Sequence, residues 1–429
     1  MSGNNYSRRK FLRDALLASA AVATPGLLMG RGFGSADKVN LACIGIGNRG
    51  AEIIKALYDT GLANIVALCD VDMEAPHTLG ILKQFPNVPR FKDFRQMFDK
   101  MGNQIEAVSI GTPDFAHFPM TMMAIGLGKH VYVEKPMART FQEVELMMKA
   151  AAKHPKVVTQ MGNQGHSEAN YFQFKAWKDA GIIKDVTAIT AHMNSARRWH
   201  GWNPKITSFP AAEPIPSTLD WDVWQMQTQG HDFNKDFVNG QWRCWFDFGM
   251  GALGDWGAHL IDTAHEFLDL GLPYEVDPLK LDGHNNFFYP MSTTLSFKFP
   301  KRAAMPPVEI KWYDGIDNLP PIPAGYGVQG LDPSIPPPST GAMQPAKLNP
   351  GKIIYSKDLT FKGGSHASTL SIIPEEKAKE MAETKRMTLL AVRFHPHAVA
   401  PLLRVGGSAL LAQLLELPQL DRRLRRFHA

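Results

Sequence analysis

Cysteine is scarce in this chain: three in 429 residues, Cys43, Cys69 and Cys244. An odd, sparse set of this kind builds no disulfide framework, and without a Cys-x-x-Cys pair it points to no metal site. Two of the three sit in apolar, strand-like runs, where cysteine behaves as a small buried apolar residue. No long apolar run stands in their place. The mostly apolar stretch Ala15 to Met29 falls short of the roughly 18–20 residues of a membrane span and is broken by Pro25 and Gly26. Nor does a basic run interleaved with aromatics occur in the interior. The net charge of +5 owes much to arginines at the two ends, so no nucleic-acid partner is expected. Lysine, finally, is missing after Arg386, where arginine, leucine, proline and histidine abound. Residues 387–429 therefore read as an atypical tail, with a change of reading frame near Lys385 as the expectation and an ordinary amphipathic helix as the alternative.

What is present suits a globular protein. The hydrophobic fraction of 44% and charged fraction of 20% are ordinary. The length allows two domains with substantial cores, since single cores stop growing near roughly 250–300 residues. Residues 1–36 carry Ser7-Arg8-Arg9-Lys10-Phe11-Leu12-Arg13, then the apolar stretch, then Gly34-Ser35-Ala36. Arginine pair, apolar core and small-residue exit stand in the order of a twin-arginine export signal. A periplasmic or otherwise exported protein that folds before export is the expectation. An amphipathic helix with a chance Arg-Arg pair is the alternative.

Residues 37–165 alternate strand and helix. Val39 to Ile44 is an apolar run that ends in Gly45-Ile46-Gly47-Asn48-Arg49-Gly50, and Ala51 to Leu57 continues as a helical pattern. In a dinucleotide-binding turn the first glycine permits the tight turn and the second lets the backbone approach a pyrophosphate. The third lets helix and strand pack closely, with the helix N-terminus toward the phosphates. The next strand, Asn64 to Cys69, ends in Asp70, where a carboxylate would bind a ribose 2′-OH and repel a 2′-phosphate, favouring NAD over NADP. A turn or capping role is the alternative for Asp70, and Asp72 could share or take the ribose. Ala107 to Ile110 follows as a strand with the exit Gly111-Thr112-Pro113. Then come helix Phe115–Leu127, strand His130–Val133, helix Phe141–Lys153 and strand Lys156–Gln160. This pattern predicts an α/β fold: a doubly wound parallel sheet whose ligands bind beyond the strands' carboxyl ends.

Glu134-Lys135-Pro136 stands at one of those ends. Pro136 disfavours the helical conformation at Lys135 and holds it extended. A lysine there could hydrogen-bond a substrate hydroxyl and stabilise the alkoxide formed as hydride leaves; alone, a strand-end lysine reads as a solvated surface residue. Downstream, Asp255 and His259 are four apart in GMGALGDWGAHLID and share one helix face. Histidine exchanges protons near neutral pH, and a neighbouring carboxylate orients it. A capping Asp and a satisfied core His are the alternative. Asn163, in Gln160-Met161-Gly162-Asn163-Gln164, follows a strand end and is a candidate nicotinamide or substrate contact. Arg198-Trp199-His200-Gly201-Trp202 and Trp242-Arg243 are polar-aromatic clusters suited to stacking a sugar ring, or equally to filling a core or subunit contact. His265 reads as structural.

In order and spacing, GIGNRG, CD, GTPDFAH and GKHVYVEKP over residues 39–300 resemble the Gfo/Idh/MocA family of glucose–fructose oxidoreductase and inositol dehydrogenase. The resemblance implies a Rossmann domain followed by an α+β domain with a large, mostly antiparallel open sheet, here over 166–386 with a Pro-rich loop at 314–350. It implies cofactor contacts at Gly45, Gly47, Asn48, Arg49, Gly50, Asp70, Thr112, Pro113, His117, Glu134 and Lys135; His117 alone reads as a cap or packing residue. It makes Lys135 the first catalytic candidate, with His259 as base and Asp255 as its partner or a substrate ligand. Substrate contacts are expected at Asn163, Arg198, Trp199, Trp242 and Arg243, and no metal is. The implied chemistry is NAD(P)-dependent hydride transfer at a secondary hydroxyl of a sugar, glycoside or cyclitol. A homodimer or homotetramer is implied too.

An exported enzyme of this type has to carry a tightly bound nicotinamide through the export machinery and return the hydride within one site. Two solutions exist in the family: reduction of a second sugar, or a redox-neutral glycosidase that oxidises C3, eliminates the aglycone, adds water and re-reduces. The complete EKP motif favours the oxidoreductase, because the glycosidase branch tends to replace its lysine. Intact Lys135, Asp255 and His259 argue against a third possibility, a non-catalytic sugar sensor.

Overall fold

The computed structural model describes residues 38–194, 208–238, 240–315, 317–327 and 348–383. The N-terminal segment read as an export signal, Arg198, Trp199, most of the Pro-rich loop and the C-terminal tail lie outside the described residues.

The first half alternates as expected: β1 (Val39–Ile44), α1 (Arg49–Asp59), β2 (Ala63–Cys69), α2 (Leu79–Gln84), β3 (Arg90–Phe91), α3 (Phe94–Met101), β4 (Ala107–Ile110), α4 (Asp114–Gly126), β5 (His130–Glu134), α5 (Phe141–Lys153) and β6 (Thr159–Gly162). The strands form one parallel sheet in the order β3-β2-β1-β4-β5-β6. The order reverses between β1 and β4, so a crevice opens beyond their carboxyl ends, where ligands of such sheets bind. The centre of β1 is apolar because both of its faces are covered; Leu41, Ala42, Cys43 and Ile44 are all buried. A capping box starts α5: the Thr140 hydroxyl accepts from the Glu143 N–H while the Glu143 carboxylate accepts from the Thr140 N–H. Such caps contribute about 1 kcal/mol. The last strand begins three residues later than its apolar run suggested. Val157 N–H closes a turn on the His154 carbonyl at 2.9 Å, and the Val158 N–H is taken by the His130 Nδ1 at 3.0 Å, so the ladder starts only afterwards.

The second half comprises α6 (Ala169–Asp179), β7 (Val186–Met193), the short α7 (Trp221–Gln225), two single 3₁₀ turns (Lys235–Phe237 and Gln241–Cys244), α8 (Gly251–Phe267), β8 (Glu275–Asp282), β9 (Ser292–Phe299), β10 (Val308–Asp314), β11 (Gly351–Ser356), β12 (Thr360–Gly363), β13 (Leu370–Ile373) and α9 (Glu375–Glu383). Its sheet runs β13-β12-β11-β7-β10-β9-β8. All neighbours are antiparallel except β10 beside β7.

A single apolar cluster joins the halves. Phe115 of α4 meets Trp224 at 5.0 Å and Phe248 at 5.4 Å between ring centroids, and Phe237 and Trp245 extend the same layer. Fully burying one such ring contributes roughly 1.5–3 kcal/mol. This layer presses the N-terminal end of α8 toward the end of β5.

Candidate active site

The tip of β1 is built from three glycines with different tasks. Gly45 has φ +75°, a conformation that disfavours L side chains, and its N–H bonds the Cys69 carbonyl at 2.8 Å. A methyl on Gly50 would stand 1.9 Å from the Gly45 carbonyl oxygen, so this contact closes α1 onto β1. A methyl on Gly47 would stand 2.0 Å from the His77 ring, on the side that faces the cleft. Asp70, at the end of β2, accepts the Ile46 N–H at 3.0 Å through one oxygen and the Asp72 N–H at 3.2 Å through the other. The carboxylate therefore braces the glycine turn from below while lining the cleft; burial pushes its pKa up, against the pull of those two N–H groups. Asp72 lines the same cleft, and its carboxylate accepts from the Thr218 hydroxyl at 3.1 Å beside a bridge to Leu219, which ties this corner to the second half.

One cleft of about 1060 Å³ runs from this turn to α8. Gly45, Gly47, Asn48, Arg49, Asp70, Thr112, Pro113, Glu134, Lys135, Trp242, Arg243, Asp255 and His259 all line it. The sequence candidates from both halves thus meet in one space. Arg49 reaches from the start of α1 to Glu134, with Nε 3.1 Å from Oε1, and links the glycine turn to the EKP segment. The Lys135–Pro136 peptide is cis.

Lys135 Nζ donates to Asp255 Oδ1 at 2.9 Å and to the Asp255 backbone carbonyl at 2.7 Å. Arg243 approaches the same carboxylate oxygen at 3.2 Å while its guanidinium lies 4.0 Å from the Trp242 ring. Asp255 therefore neutralises two cations, a role beyond the histidine partnership read from the i,i+4 spacing. His259 stands one turn along α8, with a hydrogen bond to the Gln164 backbone and no protein partner at Nδ1. Burial, then the Lys135 ammonium, then His366 hold its pKa well below the usual histidine range, with Asp255 opposing. A buried imidazole under these influences is neutral near neutral pH and able to take a proton.

Two further candidates take other positions, and His265 keeps the structural one read from the sequence. His117 does not line the cleft: its ring nitrogens face the Pro136 carbonyl at 2.7 Å and the Thr112 carbonyl at 2.8 Å, so it ties the β4 exit to the EKP turn from beneath. That is the packing role its residue type suggested. Asn163 donates to the Ala258 carbonyl at 3.4 Å and is turned to α8; its neighbour Gln164 faces the cleft. His265 lies against the Gly271 carbonyl at 2.8 Å and is structural.

Sequence reasoning passed over Asp114 and His366. Asp114 opens α4 inside GTPDFAH, is 3% exposed and has an oxygen without a partner. Burial raises its pKa against the attraction of Arg243, His117 and Lys135. His366 comes from the β12–β13 loop and carries no periodic or motif signal. Among the described residues no group of three His, Cys, Asp or Glu is arranged to hold a metal ion.

Comparison with known proteins agrees with this architecture. Residues 39–162 match the family described as oxidoreductase family, NAD-binding Rossmann fold. Residues 175–282 match its companion, oxidoreductase family, C-terminal alpha/beta domain. Over 240 residues the chain is 29% identical to a glycosyl hydrolase family 109 protein of Shewanella pealeana, covering 45% of this chain and 51% of that protein. Over 142 residues it is 28% identical to the inositol 2-dehydrogenase of Salmonella typhimurium, covering 33% of this chain and 41% of that one. The chain thus spans about half or less of the length of these curated relatives. Among solved structures, an oxidoreductase domain protein from Kribbella flavida shares the fold with TM-score 0.51 at 16% identity, covering 89% of this chain and 90% of that one. The WlbA dehydrogenase of Chromobacterium violaceum, solved with NADH and UDP-GlcNAcA, gives TM-score 0.50 at 16% identity, covering 92% and 97%. With the glycine turn, the EKP segment and the Asp255–His259 helix placed on this two-sheet scaffold, and with both family domains matched in order, the chain belongs to the Gfo/Idh/MocA oxidoreductase family.

Proposed function

We propose that this protein is an NAD-dependent oxidoreductase that moves a hydride to or from a secondary hydroxyl of a sugar, glycoside or cyclitol. The observation that carries the reading is the meeting of Lys135, Asp255 and His259 at the end of a cleft that begins at the glycine turn. The residues present fit the cofactor. At Gly47 a side chain would collide with His77 on the cleft side of the turn, Asp70 lines the same cleft at the end of β2, and Thr112, Pro113 and Glu134 line the path to Lys135. The nicotinamide, when bound, would take up or return the hydride of the substrate carbon.

The chain's own residues handle the proton and the charge. Lys135, held by Asp255, presents an ammonium to the reacting oxygen and stabilises negative charge on it. His259 is neutral and has a nitrogen without a protein partner, so it accepts the hydroxyl proton as the C–H bond breaks. On reduction the same groups work in reverse. Arg243 and Trp242 line the outer wall, where a polar ring can stack and form hydrogen bonds.

The Asp70 carboxylate favours NAD over NADP. The Arg8-Arg9 pair and the apolar stretch after it support export by the twin-arginine route with the cofactor already tightly held. A homo-oligomer is supported by exposed apolar side chains at Val276, Leu279 and Leu281 along the edge strand β8.

A redox-neutral glycosidase is the second reading, favoured by the names of several relatives at 26–29% identity. The intact Lys135 weighs toward the oxidoreductase. One experiment separates them. Protein purified without added cofactor is mixed with free sugars and with chromogenic glycosides, and reduced-nicotinamide absorbance and released aglycone are recorded together. Reduction without aglycone release supports the oxidoreductase. Sustained release without net reduction supports the glycosidase, and neither signal across the panel overturns both.

A further inference from the structure

The catalytic helix does not meet the cleft with a single imidazole. His366, from the loop between β12 and β13, lies almost parallel on His259, with ring centroids 4.1 Å apart and planes 21° apart. Trp256 closes the edge of His366 at 5.4 Å and 89°. The loop is held from two sides. The buried Ser365 hydroxyl is 2.8 Å from His366 Nδ1, and the loop backbone presses on Gly165, where an added methyl would lie 2.6 Å from the His366 carbonyl. His366 itself has φ 49°, a left-handed conformation in which a non-glycine residue is uncommon. A strained backbone retained beside a cleft, with its side chain stacked on a candidate base, is the pattern of a functional constraint.

We infer that His259 and His366 act as one acid–base unit that holds at most one positive charge across the working pH range, with His366 as the positioning residue whose ring has to be neutral for His259 to take the substrate proton. The inference deepens the proposed function, since it rests on His259 being the base. Its physical basis is like-charge repulsion. Two imidazolium rings stacked at this distance inside a largely buried site cannot both be stabilised, so the second proton binds much more weakly than the first. The remaining charges around His259 leave this conclusion intact. From the end of β5 comes the Lys135 ammonium, already paired with Asp255 on the helix itself. Arg243, from the second 3₁₀ turn, meets the same carboxylate. The loop after β6 brings the Gln164 backbone to His259, while its His166 pairs with Asp262 and Glu266 farther along α8. His366 presents the imidazole stacked on His259, a group type that changes charge near neutral pH, and so is the neighbour placed to couple to it. Under this arrangement the site takes up one proton when the substrate hydroxyl is deprotonated, and His366 stays uncharged in that state.

The test uses the full-length protein with ¹⁵N-labelled histidine and no substrate. Imidazole resonances are followed from pH 4 to 9, and His259→Gln and His366→Asn supply the assignments. Asparagine tolerates positive φ, so it suits position 366. In the unaltered protein, both rings are expected to respond in two separated steps, each ring sensing the other. In His366→Asn the remaining His259 midpoint should rise by roughly one unit, as a like-charge neighbour is removed. The acid limb of kcat/KM should move in the same direction. Two independent single-step curves, or an unchanged His259 midpoint in His366→Asn, overturn the inference. If His366→Asn does not fold, the two-step test on the unaltered protein decides alone. Coupled titration without any sugar turnover leaves the proton-sharing pair standing and sinks the proposed function instead.

Discussion

Lys135 and Asp255, 120 residues apart in the chain, meet as a buried ion pair in which the ammonium bonds both the side chain and the backbone carbonyl of the aspartate. Removing one member of a buried pair is costly because the other charge is stranded, and the two members here are not equivalent. Lys135→Met leaves Asp255 with Arg243, so the fold should survive while turnover falls by roughly 10²–10⁴-fold. Asp255→Asn leaves two cations without their shared carboxylate and should lower the melting temperature more than Lys135→Met. Melting curves and steady-state rates on both variants check this, and the reverse order of stability counts against the shared-carboxylate account.

The glycine turn separates folding from binding. Gly50→Ala places a methyl 1.9 Å from the Gly45 carbonyl, and neither backbone can move cheaply, so a loss of folded yield is expected. Gly47→Ala meets only the His77 ring, which can swing aside. It should fold normally but bind NAD at least roughly tenfold more weakly, because the methyl stands where backbone must approach the pyrophosphate. Calorimetric titration with NAD reads the difference. Equal NAD affinity in Gly47→Ala and the parent argues against this turn as the pyrophosphate cradle.

Asp70 bears on the choice of cofactor. Asp70→Ser removes the charge that repels a 2′-phosphate, so the ratio of NADP to NAD dissociation constants should fall by about tenfold or more. NAD affinity should also weaken, since the brace on the Ile46 N–H is shortened. An unchanged ratio would move the ribose contact elsewhere.

His192 provides a pH signature of the second sheet. It is fully buried, its Nε2 donates to the Asn349 carbonyl at 2.8 Å, and burial pushes its pKa down to about 4. Below the ordinary value near 6.5 the unfolded chain takes up a proton that the native ring refuses. Native stability is therefore lost as pH falls from 6.5 to about 4 and changes no further below that. The full effect is on the order of 3 kcal/mol. Asp314, raised by burial to about 6, contributes with the opposite sign in an overlapping window. It is common to both proteins when His192→Gln is compared with the parent, so it cancels. Denaturant unfolding at several pH values should show the parent losing stability relative to His192→Gln as the pH drops. A constant difference would mean that His192 is not held neutral.

Much of the site was legible because its signals are local. GIGNRG reads as strand, turn and helix since the glycines do their work within six residues. Asp255 and His259 share a face because the helix repeat alone puts them there. The limits appear where a residue answers to partners far along the chain. His117 stands in a motif segment, yet carbonyls at Thr112 and Pro136 take both ring nitrogens beneath the cleft. Asp72 lines the same cleft as Asp70, and its bond to the Thr218 hydroxyl, 146 positions along the chain, has no local signal. His366 gave no signal, since a loop histidine between short strands has no period or spacing to mark it.

By itself the sequence determined the alternating first half, the glycine turn, the EKP strand end and the helix bearing Asp255 and His259. These depend on backbone preferences and on apolar periodicity over a few residues. Only the tertiary structure decided that Asp255 binds Lys135 and Arg243, that Asn163 turns from the cleft while Gln164 enters it, and that His366 lies on His259. Those contacts join residues separated by as many as 120 positions, and they form only where two sheets and one aromatic layer bring distant loops to the same cleft.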